Sequence, residues 1–178
     1  MLDPFLLLNL PRGFDLDDCV LRGALIKASM QWHPDRFALA PAEERLQAEE
    51  HMAGLNEAFG RLSDPLRRAE TLLALSGFPL GEGTDGTSSP EFLMEMMELK
   101  EEADDVLRAG VPSKVTSLRD RVAAEIQERI AALTAAFRAW KEADFCPGTL
   151  TPLRAALTEA TYLQRTLDSL QPRPQHQS

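Results

Sequence analysis

Apolar residues in this chain recur every third or fourth position, and no stretch alternates in the way a half-buried strand would. That periodicity predicts an all-α protein. Asp17 or Asp18 caps a segment whose stripe runs Leu21, Leu25, Ala28 and Trp32, and a second helix carries Met52, Leu55, Phe59 and Leu62. A third opens at Asp64-Pro65, a cap followed by a first-turn proline, and buries Leu66, Ala69 and Leu72 or Leu73. A short helical turn also fits Pro4 to Asn9. Farther along, Ser89-Pro90 opens a helix that runs to about Ala109, and Val115, Leu118, Val122, Ile126, Ile130, Leu133, Phe137 and Trp140 mark a long one. Thr151-Pro152 opens the last, with Leu153, Leu157, Ala160, Leu163, Leu167 and Leu170 on one face.

Between these two groups lies Gly81 to Ser89, with three glycines and four hydroxyl residues in nine positions, too polar and too flexible to enter a packed core. The connections at Gly110-Val111-Pro112 and Pro147-Gly148 are short enough to fold successive helices back antiparallel. The expected organisation is an N-terminal helical hairpin over 1–77, a linker over 78–90, an antiparallel three-helix bundle over 91–171, and a disordered tail over 172–178.

Composition narrows the function. The chain has 178 residues, 44% of them hydrophobic and 26% charged, which suits a soluble globular protein. No uninterrupted apolar run exceeds four residues, as at Phe5 to Leu8, against the roughly 20 needed to cross a bilayer, so no membrane association is expected. Asp3 and Pro4 stand where a secretory signal would be basic, and a cytoplasmic location is expected. A net charge of -9 opposes binding to nucleic acid. Cys19 and Cys146 alone form neither a disulfide framework nor a zinc quartet, so no metal, cluster or cofactor is expected.

The stripe that ends at Trp32 is followed by His33-Pro34-Asp35. Proline ends a helix and pushes its predecessor out of helical angles, so the helix stops near His33. Asp35 is then held beside a helix C-terminus, where the macrodipole offers an anion nothing, and a role other than folding is implied. Around it stand Arg22 and Lys27, then Leu55-Asn56-Glu57-Ala58-Phe59, then Leu62-Ser63-Asp64-Pro65-Leu66-Arg67-Arg68-Ala69-Glu70. Taken together, these segments resemble a J-domain over about the first 77 residues. The continuation from Ala69 through Phe78, and then Phe92-Leu93-Met94-Glu95, is similar to the iron–sulfur co-chaperone family HscB. The resemblance implies a partner of the DnaK-type chaperone, in particular HscA, whose ATPase is stimulated when the tripeptide and the basic face of the preceding helix dock on it. The residues implicated are His33, Pro34, Asp35, Arg22, Lys27 and Arg36, with fewer basic residues on that helix than the family usually has.

The helix after the linker is more apolar than a core requires. Advancing roughly 100° per residue from Phe92, one face collects Phe92, Met96, Leu99, Ala103, Val106 and Leu107. Leu93, Met97 and Met94 fall at roughly 100°, 140° and 200°, while Glu101, Asp105 and Glu98 fall at about 180°, 220° and 240°. On the last helix the core stripe leaves Tyr162, the only tyrosine, on the far face. Resemblance to the HscB family implies that Leu93, Met94, Met97, Glu98, Glu101, Asp105 and Tyr162 bind the iron–sulfur scaffold protein IscU. Methionine suits a surface that must grip and release.

Three other readings stay open at this point. A general J-domain protein would serve a different client; a purely structural helical adaptor would make no use of Asp35; an enzyme would use His33, Asp35 and His51. No paired metal motif, phosphate loop or nucleophile elbow supports catalysis, so the chain is expected not to be an enzyme, and His51 reads as a solvated or packing residue.

Overall fold

The computed structural model describes residues 2–79, 89–143 and 150–171, and every described element is helical. The glycine-rich segment over 81–88, the turn at Pro147-Gly148, Cys146 and the tail over 172–178 lie outside the described residues. The chain divides into two compact units, Met1–Leu80 and Gly81–Ser178.

The first unit holds α1 (Pro4–Leu7), α2 (Asp18–Trp32), a single 3-10 turn (Pro34–Phe37), α3 (Ala42–Ser63) and α4 (Pro65–Leu75). Carboxylates cap the starts of α1, α2 and α4, whereas Pro41 before α3 offers no side-chain cap. Asp3 accepts from the Phe5 N–H at 2.9 Å, Asp17 accepts from Cys19 at 2.7 Å and Val20 at 3.1 Å, and Asp64 accepts from Leu66 at 2.8 Å. Asp17 is thus the cap of α2, and Asp18 is its first helical residue, where a negative charge suits the dipole. Helices α1, α2 and α4 all pack on α3. Phe5, Leu8, Leu21, Leu62 and Leu73 are fully enclosed, with Ala48 and Ala58 letting the backbones approach.

One charged side chain belongs to this core. Arg68 is buried, donating to the carbonyls of Leu62 at 2.7 Å and Phe14 at 2.8 Å, with its guanidinium 5.8 Å over the Phe14 ring. It ties the segment before α2 to the α3–α4 corner. Burial lowers its pKa from the ordinary arginine value, and Asp18, Asp64 and Asp15 pull it back up. Its neighbour Arg67 is exposed.

The second unit is three helices, α5 (Pro90–Ala109), α6 (Pro112–Glu142) and α7 (Leu150–Ser169), each packed on the other two. Ser89 caps α5 by accepting from Phe92 at 3.1 Å, and Gly110, at φ 65°, ends it in the left-handed conformation that glycine adopts without strain. Leu99 and Ala103 of α5 share a core with Leu118, Val122 and Ile126 of α6 and Leu163 and Leu170 of α7. Glu102 of α5 pairs with Arg121 of α6 across the turn at Gly110, as an antiparallel hairpin requires. Glu159 pairs with Arg129 at 2.9 Å, while Leu163 shares the cluster with Ile126, so α7 also runs against α6.

Two expectations need correction. Leu107 is exposed rather than part of the core stripe; it stands in the last turn of α5, where a helix end has few neighbours to cover it. Helix α7 begins at Leu150, which is buried, so Thr151-Pro152 falls inside its first turn rather than before it.

Candidate functional site

Two groups of predicted site residues lie one in each unit. In the first, α2 ends at Trp32 and His33 turns extended, at φ -61° and ψ 130°, as a residue before proline must. The 3-10 turn that follows holds Asp35 clear of the surface, with its side chain 91% exposed. The His33 ring steadies the turn: Nδ1 accepts from the Asp35 N–H at 3.3 Å and lies 3.5 Å from the Asp35 carboxylate.

What holds this turn in place was not visible as a motif. The Trp32 ring stacks on His51 of α3 at 3.8 Å between centroids and lies parallel to Phe37 at 6.2 Å. The stack pins both ends of the turn to α3. His51 is thus a packing residue for the turn, although its spacing from Trp32 in sequence gave no sign of it. Arg36 reaches back and donates to the Met30 carbonyl at 3.0 Å, a cation on the negative end of α2. Its charge is partly committed to holding the turn.

Arg22 and Lys27 are exposed, and neither makes an ion pair among the described residues. Beside them on α2, Val20, Ile26 and Met30 are exposed as well. Spaced at six and four residues, these three line one side of the helix. The outer surface of α2 is therefore as apolar as it is basic, a feature hidden in a sequence whose core stripe is read first.

In the second unit Leu93, Met94 and Met97 are 47%, 63% and 66% exposed, and Tyr162 is 43% exposed. The neighbouring helices do not take the apolar surplus of α5 into the core. Tyr162 needs a correction: it does not stand on the far face of α7. Its ring meets the buried Phe92 of α5 edge-on at 6.3 Å, so the long side chain reaches sideways and joins the α5 residues in one surface. Phe92 is the anchor of this junction, with Arg129 of α6 5.8 Å over its ring.

The acids along α5 are not equivalent. Glu102 pairs with Arg121 of α6, which raises the Arg121 pKa, and Asp105 pairs with Arg108 one turn on at 2.8 Å. Glu98 and Glu101 are exposed and make no ion pair among the described residues. Among the described residues no group of three or more His, Cys, Asp or Glu could hold a metal ion, and no helix is long and apolar enough to cross a membrane.

The family model for the HSCB C-terminal oligomerisation domain matches residues 88–171, the whole second unit as described. A co-chaperone protein HscB homolog of Vibrio cholerae is 37% identical over 135 residues, covering 71% of this chain and 79% of that protein. Among solved structures, chaperone HscB from Vibrio cholerae aligns with a TM-score of 0.63 at 29% identity, covering 96% of this chain and 100% of that one. The human co-chaperone protein HscB aligns with a TM-score of 0.78 at 26% identity, covering 96% and 81%. A J-domain followed by a C-terminal helical bundle is the architecture of those structures, and it is the architecture here. With sequence identity and fold agreeing over both units, this chain belongs to the HscB family of co-chaperones.

Proposed function

We propose that this chain links two partners in iron–sulfur protein maturation: it stimulates the ATPase of a DnaK-type chaperone, HscA, and delivers the scaffold protein IscU to it. Asp35, projecting from a proline-stiffened turn, engages a cationic site on the chaperone, with His33 and Pro34 shaping the turn. Arg22, Lys27 and Arg36 steer the approach. Leu93, Met94, Met97 and Tyr162 seat the scaffold, and Glu98, Glu101 and Asp105 border that seat. The chain itself hydrolyses nothing and works where the scaffold is made, in the cytoplasm.

The observation that carries this reading is the exposed apolar surface of the second unit. An adaptor without cargo has no use for three large apolar side chains left in water on a helix that already has a full core stripe. Burying them is worth roughly 5–9 kcal/mol gross, against about 4–15 kcal/mol for association, which gives a reversible complex suited to hand-over. The test is titration of IscU into the wild-type chain and into Leu93→Ala with Met97→Ala. Binding to the wild type and its loss in the variant support the reading; equal affinity overturns it.

A further inference from the structure

The surface that carries Leu93, Met97 and Tyr162 is electrically polar from one edge to the other. By the same step of roughly 100° per residue, Glu102 falls at about 280° from Phe92, and its pairing with Arg121 marks that flank of α5 as the one facing α6. Glu98, one turn earlier, shares the flank, while Glu101, at about 180°, stands between Met97 and Met94. Leu93 and Met97 lie on the opposite flank, toward α7, where Phe92 and Tyr162 meet. Lys100 and Asp104 share this flank one turn apart and offset each other in charge.

Beyond Tyr162, away from the acids, stands Arg165. Its guanidinium lies 5.9 Å over the Tyr162 ring. It is exposed and makes no ion pair among the described residues, the nearby Asp168 carboxylate taking the Gln164 amide instead at 2.9 Å. Arg129, the other arginine of this cluster, is spent on Glu159. The surface therefore runs from the uncommitted Glu98 carboxylate, across apolar side chains with Glu101 set among them, to one uncommitted guanidinium 5.9 Å over an aromatic ring.

We infer that Arg165 is a specificity-determining residue of the scaffold-binding surface, meeting a carboxylate on the scaffold while Glu98 and Glu101 meet its basic groups. The inference rests on the proposed reading of this surface as the scaffold seat. Apolar burial alone does not fix the direction in which a partner lies across a helix flank; opposite charges at the two edges do, because the reversed arrangement sets like charges against each other at both ends. The cation–π contact with Tyr162 restricts the guanidinium, so less side-chain freedom is lost when it binds.

The experiment is calorimetric titration of IscU into the full chain, as wild type, Arg165→Glu, Arg165→Lys, and Leu93→Ala with Met97→Ala, at low salt and at about 0.5 M salt. Arg165→Glu is expected to weaken binding about tenfold at low salt and to converge on the wild type at high salt, with Arg165→Lys within about threefold throughout. Affinity unchanged or raised in Arg165→Glu overturns the inference, as does a loss that persists undiminished at high salt. Failure of the underlying reading looks different: there, Leu93→Ala with Met97→Ala binds as the wild type does, whatever Arg165 contributes.

Discussion

The first unit carries the exposed Asp35 carboxylate on a four-residue turn within the connection between two helices, whereas the second carries its exposed apolar residues on the flanks of helices whose other faces are core. A site on a turn is only as well placed as whatever fixes the turn. Here that is the Phe37–Trp32–His51 stack, which touches no partner in the proposed mechanism, and the Arg36 hydrogen bond to Met30, which commits to the turn a residue that also faces the chaperone. A site on a helix flank inherits its rigidity from the bundle, through Leu99, Ala103 and Leu163, and needs only side chains the core does not use. Removing one group should therefore silence the first site, while the second should fail by degrees.

The largest expected effect is that of Asp35→Asn. It should abolish ATPase stimulation in a single-turnover assay, with helix content by circular dichroism and scaffold affinity unchanged, because the carboxylate is exposed and its loss costs less than about 0.5 kcal/mol of stability. Residual stimulation above half of the wild-type value would break the contrast between the units. Next comes Arg68→Met, which leaves the Leu62 and Phe14 carbonyls without their donor and should destabilise the first unit by about 2–3 kcal/mol in urea unfolding. Unfolding of the first unit at the wild-type urea concentration would contradict this role of the buried guanidinium.

Leu93→Ala with Met97→Ala should weaken scaffold binding by about 10- to 100-fold, while chaperone stimulation measured without scaffold stays intact. Trp32→Leu keeps an apolar side chain but loses the ring stack, worth about 0.5–1.5 kcal/mol, so the concentration for half-maximal stimulation should rise about threefold to tenfold. Smallest is the effect of salt. With Val20, Ile26 and Met30 exposed beside Arg22 and Lys27, raising salt from about 50 to about 200 mM should weaken chaperone docking by no more than about threefold. A steeper loss would show that the basic residues, not the apolar ones, dominate α2.

The helices and their starts were legible because caps and prolines act locally. Asp64-Pro65 and Ser89-Pro90 open α4 and α5 as the residues dictate. The tripeptide was legible for the same reason, since proline imposes its geometry on its neighbour. Side-chain fates decided by distant parts of the chain were not. Arg67 and Arg68 are adjacent and chemically identical, yet one is exposed and the other enclosed by carbonyls that include one 54 residues away in sequence. Leu107 matches the core period but falls where the bundle thins. Tyr162 lies off the stripe of its own helix, and only the proximity of Phe92 turns it toward α5. Arg165 carried no signal at all, because a lone arginine on a polar flank is usually only a solvated charge.

In the proposed mechanism Asp35 and the Leu93–Met97–Tyr162 surface are two separate contacts joined in one chain. A single-turnover ATPase assay of the DnaK-type chaperone with the scaffold, comparing wild type, Asp35→Asn, Leu93→Ala with Met97→Ala, and an equimolar mixture of the two variants, tests it most directly. The prediction is full synergy between chain and scaffold only in the wild type, with the mixture unable to restore it. Synergy recovered in the mixture would mean that the two contacts need not be joined in one molecule, and the proposed linkage would fall.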